Sequence, residues 1–123
     1  MKCNLDCDYC YTGLYFGHDN SIPHPRVDEC INTIDFMYEY ADRVMSQRIA
    51  GLKYVVLNVY GGEALNHPDI VKILQAARDK HLQYQSRWHL TVTTTTNAIV
   101  APHRLEKIIP LIDEFTVSYH TEN

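Results

Sequence analysis

The sequence has few of the features that would settle its class at once. There is no excess of positive charge: 11 Lys and Arg against 15 Asp and Glu leave a formal net charge of −4. That balance counts against a strongly basic nucleic-acid surface. No apolar run is long enough to span a bilayer, and no charged-then-apolar leader opens the chain, so no membrane partner is expected and a cytoplasmic location is. There is no internal repeat, low-complexity stretch or linker. The 123 residues therefore read as one domain, residues 1–123, with an ordinary 46% hydrophobic content.

Cysteine is scarce, yet three of the four residues crowd into one place. Cys3, Cys7 and Cys10 lie within eight positions, and Cys30 stands apart. Disulfide pairing within the trio would leave one thiol over and close loops too short to stabilise much. In a cytosolic chain such a cluster is more readily a ligand set. Soft thiolates suit iron–sulfur clusters, zinc or Cu(I). Three ligands on one short loop leave a metal position open, as a catalytic centre needs. A zinc site completed by His18 or His24 is the structural alternative. Cys30, inside a helical pattern, reads as a small packed residue.

After a loop carrying Tyr11, Tyr15 and Phe16, the spacing of Ile31, Ile34, Tyr38, Ala41 and Met45 predicts a helix from about Pro25 to about Gln47. Tyr54 to Tyr60 is nearly continuous apolar and β-branched sequence, which predicts a strand buried on both faces. Asn66-His67-Pro68-Asp69 opens a second helix with Ile70, Ile73, Leu74 and Ala77 inward. The threonine-rich run Trp88 to Thr96 predicts a second strand. A third helix starts at Pro102, with Leu105, Ile108 and Ile109 on one side, and a last strand covers about Glu114 to Tyr119. Alternation of this kind makes an α/β fold with a parallel sheet and right-handed crossovers.

Ligands of parallel α/β sheets gather at the carboxyl ends of the strands. Three places meet that rule here: Gly61-Gly62-Glu63, Thr96-Asn97 and Ser118-Tyr119-His120. With the cysteine loop they form a constellation.

The spacing CxxxCxxC of Cys3, Cys7 and Cys10 resembles the cluster motif of the radical S-adenosylmethionine (radical SAM) enzymes, with an aromatic, Tyr9, before the third cysteine. Gly61-Gly62-Glu63 resembles the family's GGE motif, Thr96-Asn97 its strand-end pair, and Ser118 its ribose-holding polar residue. The resemblance implies a [4Fe–4S] cluster on Cys3, Cys7 and Cys10, with S-adenosylmethionine chelating the remaining iron. It implies reductive cleavage to a 5′-deoxyadenosyl radical that takes hydrogen from a substrate, and an electron donor such as flavodoxin or ferredoxin. Tyr9 would flank the adenine, Gly61 and Gly62 would let backbone approach the ligand, and Glu63 would accept from the ammonium. Thr96, Asn97 and Ser118 would contact methionyl or ribose oxygens. The motifs look most like those of the peptide- or protein-modifying, sulfatase-maturase-like group, which points to a peptide or protein substrate. The family's (β/α) barrel has six strand–helix units. Here the first strand and the last two units are missing, so a partial barrel from a longer gene product is expected. Ala98 stands where glycine is more usual.

Overall fold

The computed structural model describes residues 2–5, 7–10, 21–47 and 53–119. Tyr11, Tyr15, Phe16, His18 and His120 lie outside the described residues. The elements alternate as expected: α1 (Val27–Ser46), β1 (Tyr54–Val59), a 3-10 turn (Ala64–Asn66), α2 (Ile70–His81), β2 (His89–Thr96), α3 (Pro102–Ile108), a second 3-10 turn (Ile109–Leu111) and β3 (Glu114–Val117). The strands form one parallel sheet in the order β1-β2-β3.

The core lies between one face of this sheet and the helices. Ile34 and Tyr38 of α1, Ile73, Leu74 and Ala77 of α2, Leu90 and Val92 of β2 and Ile108 of α3 are buried together. The Tyr38 hydroxyl donates to the Ala77 carbonyl at 2.8 Å, so the crossing of α1 and α2 satisfies the one polar atom this ring brings inward. Burial pushes the Tyr38 phenol up to about 12. Tyr38, Tyr84, Trp88 and His81 pack ring against ring below it. Cys30 is half-buried against this core, and desolvation raises its thiol pKa, in keeping with a packing role.

Two expectations are corrected. β1 is buried on one face only: Val55, Leu57 and Val59 turn toward the helices, whereas Tyr54, Val56 and Asn58 are exposed. The buried residues of all three helices share one core with the inward face of the sheet, and a run of apolar residues does not reveal that asymmetry. Ile109 is 55% exposed rather than packed beside Ile108, because the chain tightens into a 3-10 turn at Ile109–Leu111 and rotates it outward. The start of α2 also differs in detail. Asn66 closes the preceding 3-10 turn, and the ring of His67 does the capping: its Nδ1 accepts from the Asp69 N–H at 3.1 Å.

β3 is pinned by one side chain. Asp113 accepts from the Val92 N–H at 2.7 Å and pairs with Arg78 at 2.9 Å. Burial would raise its carboxyl, but the Val92 bond and the Arg78 guanidinium outweigh it and hold Asp113 below the usual carboxylate range.

Candidate functional site

Parallel register brings the carboxyl ends of all three strands to one rim, since Val59 lies opposite Thr94 and Thr96 opposite Val117. The chain leaves each strand there as Tyr60-Gly61-Gly62, Asn97 and Ser118. A cavity of about 130 Å³ opens between these ends and the cysteine loop. Cys3, Cys7, Cys10, Tyr9, Gly61, Gly62, Thr96, Asn97 and Ser118 all border it. Of the described residues singled out in the sequence for this site, Glu63 and Tyr119 do not border it. The rings of Tyr9 and Tyr60 stand at its mouth, 52% and 60% exposed. Tyr119 is 87% exposed and is not among the described residues that line the cavity.

The cysteine loop is a tight turn, with the Cys10 N–H donating to the Cys7 carbonyl at 3.0 Å. Cys3, Cys7 and Cys10 are each partly buried. The Cys3 sulfur lies 3.5 Å from the Leu5 N–H, which donates to it. The loop is seated against the strand ends at two points. At one, the Glu63 N–H donates to the Lys2 carbonyl at 3.1 Å. At the other, the Asn4 side chain meets Asn97.

Glu63 is 2% exposed and turned inward. Its Oε1 accepts from the Leu65 N–H at 3.2 Å and the Thr96 hydroxyl at 2.8 Å, and its Oε2 accepts from the Asn97 N–H at 2.8 Å. A carboxylate has about four acceptor positions, so one remains. Glu63 therefore ties the end of β1 to the end of β2, a role that its acidic character and its place after two glycines do not announce. Thr96 is committed in the same way. Its hydroxyl donates to Glu63 and accepts from the Ala98 N–H at 3.0 Å. Strand alternation instead turns Thr95, with Ser118 beyond its partner Thr116, toward the open face. Sequence reasoning missed Thr95, although the period of two in a threonine run was there to be used.

Arg104 was also missed. From α3 its Nη2 reaches the carbonyls of Leu65 at 3.1 Å and His67 at 2.7 Å, closing the turn after the glycines from outside. His24, the alternative fourth ligand for zinc, packs edge-on against His67 with ring centroids 5.0 Å apart. It is not among the described residues lining the cavity. Its pKa is lowered, by burial first and then by His67, Lys2 and Arg104. The His67 ring is held at both nitrogens, with Nδ1 accepting from the Asp69 N–H at 3.1 Å and Nε2 facing the Pro25 carbonyl at 2.8 Å.

The donor set can be set against the group it would hold. Three sulfurs and a glycine turn share one cavity, which is the chemistry an iron–sulfur cluster requires. A Cβ at Gly61 would meet no atom within 4 Å, so at this position the glycine leaves ligand-sized room beside the backbone. Among the described residues no three His, Cys, Asp or Glu side chains converge as a group that could hold a single metal ion. A cluster spreads its thiolates over separate irons and does not ask for such convergence. The described helices include none long and apolar enough to cross a membrane.

Comparison with known families gives one match. The model described as the Radical SAM superfamily covers residues 1–123. No curated protein matches the chain significantly.

Proposed function

The chain belongs to the radical SAM superfamily, and from that premise we propose that it forms the cofactor-binding part of an iron–sulfur enzyme that uses S-adenosylmethionine for radical chemistry. The observation that carries the reading is the shared cavity of Cys3, Cys7, Cys10 and the three strand ends. When bound, the [4Fe–4S] cluster and S-adenosylmethionine supply, with one electron from a flavodoxin- or ferredoxin-type donor, methionine and a 5′-deoxyadenosyl radical that takes a hydrogen atom from substrate.

The residues have distinct tasks. Cys3, Cys7 and Cys10 would hold the cluster as thiolates, which favours a reducing, cytoplasmic compartment. Gly61 keeps side-chain bulk away from the ligand, and Gly62 lets the cysteine loop approach the turn. The Ser118 and Thr95 hydroxyls at the cavity wall are the polar groups offered to methionyl and ribose oxygens, while Thr96 and Asn97 shape that wall through their bonds to Glu63. Tyr9 stands where a flat ring can lie against adenine. Glu63 fixes Thr96 and Asn97 from behind the cavity wall. The open sheet face beneath the cavity carries Tyr54, Val56 and Asn58 of β1, His89, Thr91, Thr93 and Thr95 of β2, and Glu114 and Thr116 of β3. The hydroxyl and amide groups nearest the strand ends, Asn58, Thr93, Thr95 and Thr116, support a hydrogen-bonding substrate such as a peptide, with the Glu114 carboxylate beside them.

Anaerobic reconstitution with iron and sulfide tests the reading. A brown protein is expected, with a reduced electron paramagnetic resonance (EPR) signal that changes when S-adenosylmethionine is added. A colourless protein carrying stoichiometric zinc would overturn it.

A further inference from the structure

Asn4 sits between Cys3 and Leu5, at one of the positions that the cysteine spacing leaves unspecified. Its side chain closes a ring with two residues more than ninety positions away. Asn97 Nδ2 donates to Asn4 Oδ1 at 2.7 Å, Asn4 Nδ2 donates to the Ile99 carbonyl at 2.9 Å, and the Ile99 N–H donates to Asn97 Oδ1 at 2.9 Å. The amide orientations are mutually determined. The Ile99 N–H requires an oxygen from Asn97, which turns the Asn97 amino group to Asn4. That group requires an oxygen from Asn4, which turns the Asn4 amino group to the Ile99 carbonyl. Flipping either amide sets donor against donor.

The ring is anchored at both ends. Asn97 is held by Glu63 through its backbone N–H, and Asn4 Oδ1 lies 3.8 Å from the Cys3 sulfur, within reach of a weak thiol hydrogen bond. The residue that closes the turn, Ala98, has φ +59°, in the left-handed region that an L-residue rarely adopts. The turn thus keeps a strained conformation in which Asn97 and Ile99 can both face Asn4.

We infer that Asn4 and Asn97 form a latch that docks the cysteine loop onto the end of β2 and so sets the position of Cys3 relative to the cofactor site. Both are positioning residues. The inference rests on the radical SAM reading for its purpose, but the latch itself is a property of the polypeptide. Other loop designs would leave the first ligand to swing with its loop, whereas outer-shell partners of this kind fix ligand geometry.

The test is a double-mutant cycle with Asn4→Ala, Asn97→Ala and the pair, read first by amide hydrogen exchange in the reduced full chain without metal. Each single variant should speed exchange of the Glu63 and Cys10 N–H groups about tenfold, and the pair no further, because either change alone opens the latch. Exchange at Leu74 and Val92 in the core should not move. The second readout is EPR of the reconstituted protein, in which Asn4→Ala, whose side chain is not among those lining the cavity, should alter the response to S-adenosylmethionine. Multiplicative exchange, about a hundredfold in the pair, or acceleration spread equally through the core, would overturn the latch. A wild-type chain that takes up no cluster would instead overturn the proposed function and leave the exchange result readable. If Asn97→Ala does not fold, Asn97→Asp, which keeps the acceptor for Ile99 and loses the donor to Asn4, carries the same test.

Discussion

The backbone of Glu63 is hydrogen-bonded to the backbone of Lys2: the N–H of the first meets the carbonyl of the second at 3.1 Å. This contact brings the start of the cysteine loop against the glycine turn, and Gly62 makes it possible. A Cβ on Gly62 would overlap the Lys2 carbonyl oxygen, with the carbonyl carbon 2.7 Å and the Cys3 Cβ 3.1 Å away. Backbone cannot swing aside as a flexible side chain would.

Gly62→Ala and Gly61→Ala should therefore behave differently although they are neighbours. Neither glycine has a left-handed backbone, so the contrast is steric. Gly62→Ala is overpacked against the loop and should cost about 1–3 kcal/mol in urea unfolding, with a clear loss of iron and sulfide after reconstitution. Gly61→Ala meets open space and should stay within about 0.5 kcal/mol of wild type, keeping its cluster while binding S-adenosylmethionine more weakly. Equal iron content in the two variants would show that the Lys2 contact does not matter for the loop.

Glu63→Gln separates two roles for the acid. The Gln side chain keeps one acceptor but presents an amino group where Oε1 or Oε2 now accepts. In one orientation it opposes the Asn97 N–H, in the other the Leu65 N–H. Hydrogen bonds to a charged group contribute about 1.5–3 kcal/mol, and the residue is almost wholly buried. Unfolding of the variant without metal should show a loss of about that size. If the carboxylate served only the cofactor's ammonium, stability without cofactor would be unchanged and only the binding of S-adenosylmethionine would suffer.

The order of strands and helices was legible because period-two and period-3.6 patterns are local, and because parallel topology then dictates where three strand ends meet. That is why Cys3, Gly61, Asn97 and Ser118 could be assigned to one place from the chain alone. What escaped were contacts between distant residues whose identity carries no local signal. Asn4 is a spacer in a ligand motif until its partner at position 97 is known. Glu63 reads as an acid offered to a ligand, whereas three donors, the farthest of them 34 positions along the chain, hold it inward. Exposure on one face of β1 escaped for a similar reason, since Tyr54 and Val56 are as apolar as the buried Val55 and Leu57.

Ala98 is a departure from the family's usual glycine with a physical cost attached. At φ +59° an alanine is strained by about 1–2 kcal/mol, while glycine there loses about 0.5–1 kcal/mol in entropy. Ala98→Gly should come out neutral to about 1 kcal/mol more stable. Ala98→Val, β-branched in the same region, should be destabilised. Chemical denaturation of both variants checks the order, and a valine variant as stable as the glycine variant would show that the turn relaxes readily.

Acid should weaken this fold through His81. The Nδ1 of His81 is buried without a hydrogen-bond partner, beside Trp88 with ring centroids 5.0 Å apart. Burial, then His89 and Arg78, lowers its pKa from the ordinary value. The sign follows from linkage. Below about pH 6.5 the unfolded chain takes up a proton at this ring while the folded chain resists it, so stability falls with pH until the folded group also titrates. His24, likewise lowered, acts in the same direction. Melting temperature should therefore decline between about pH 7 and pH 5, where the depressed Asp113 is still ionised and contributes no slope. His81→Phe removes both the titration and the unpartnered nitrogen while keeping a ring against Trp88, and should flatten the decline. His81→Gln, which stays polar but cannot titrate, should flatten it as well while costing stability at pH 7 through lost ring packing. A decline unchanged in both variants would assign the acid sensitivity to His24 or to the remaining histidines instead.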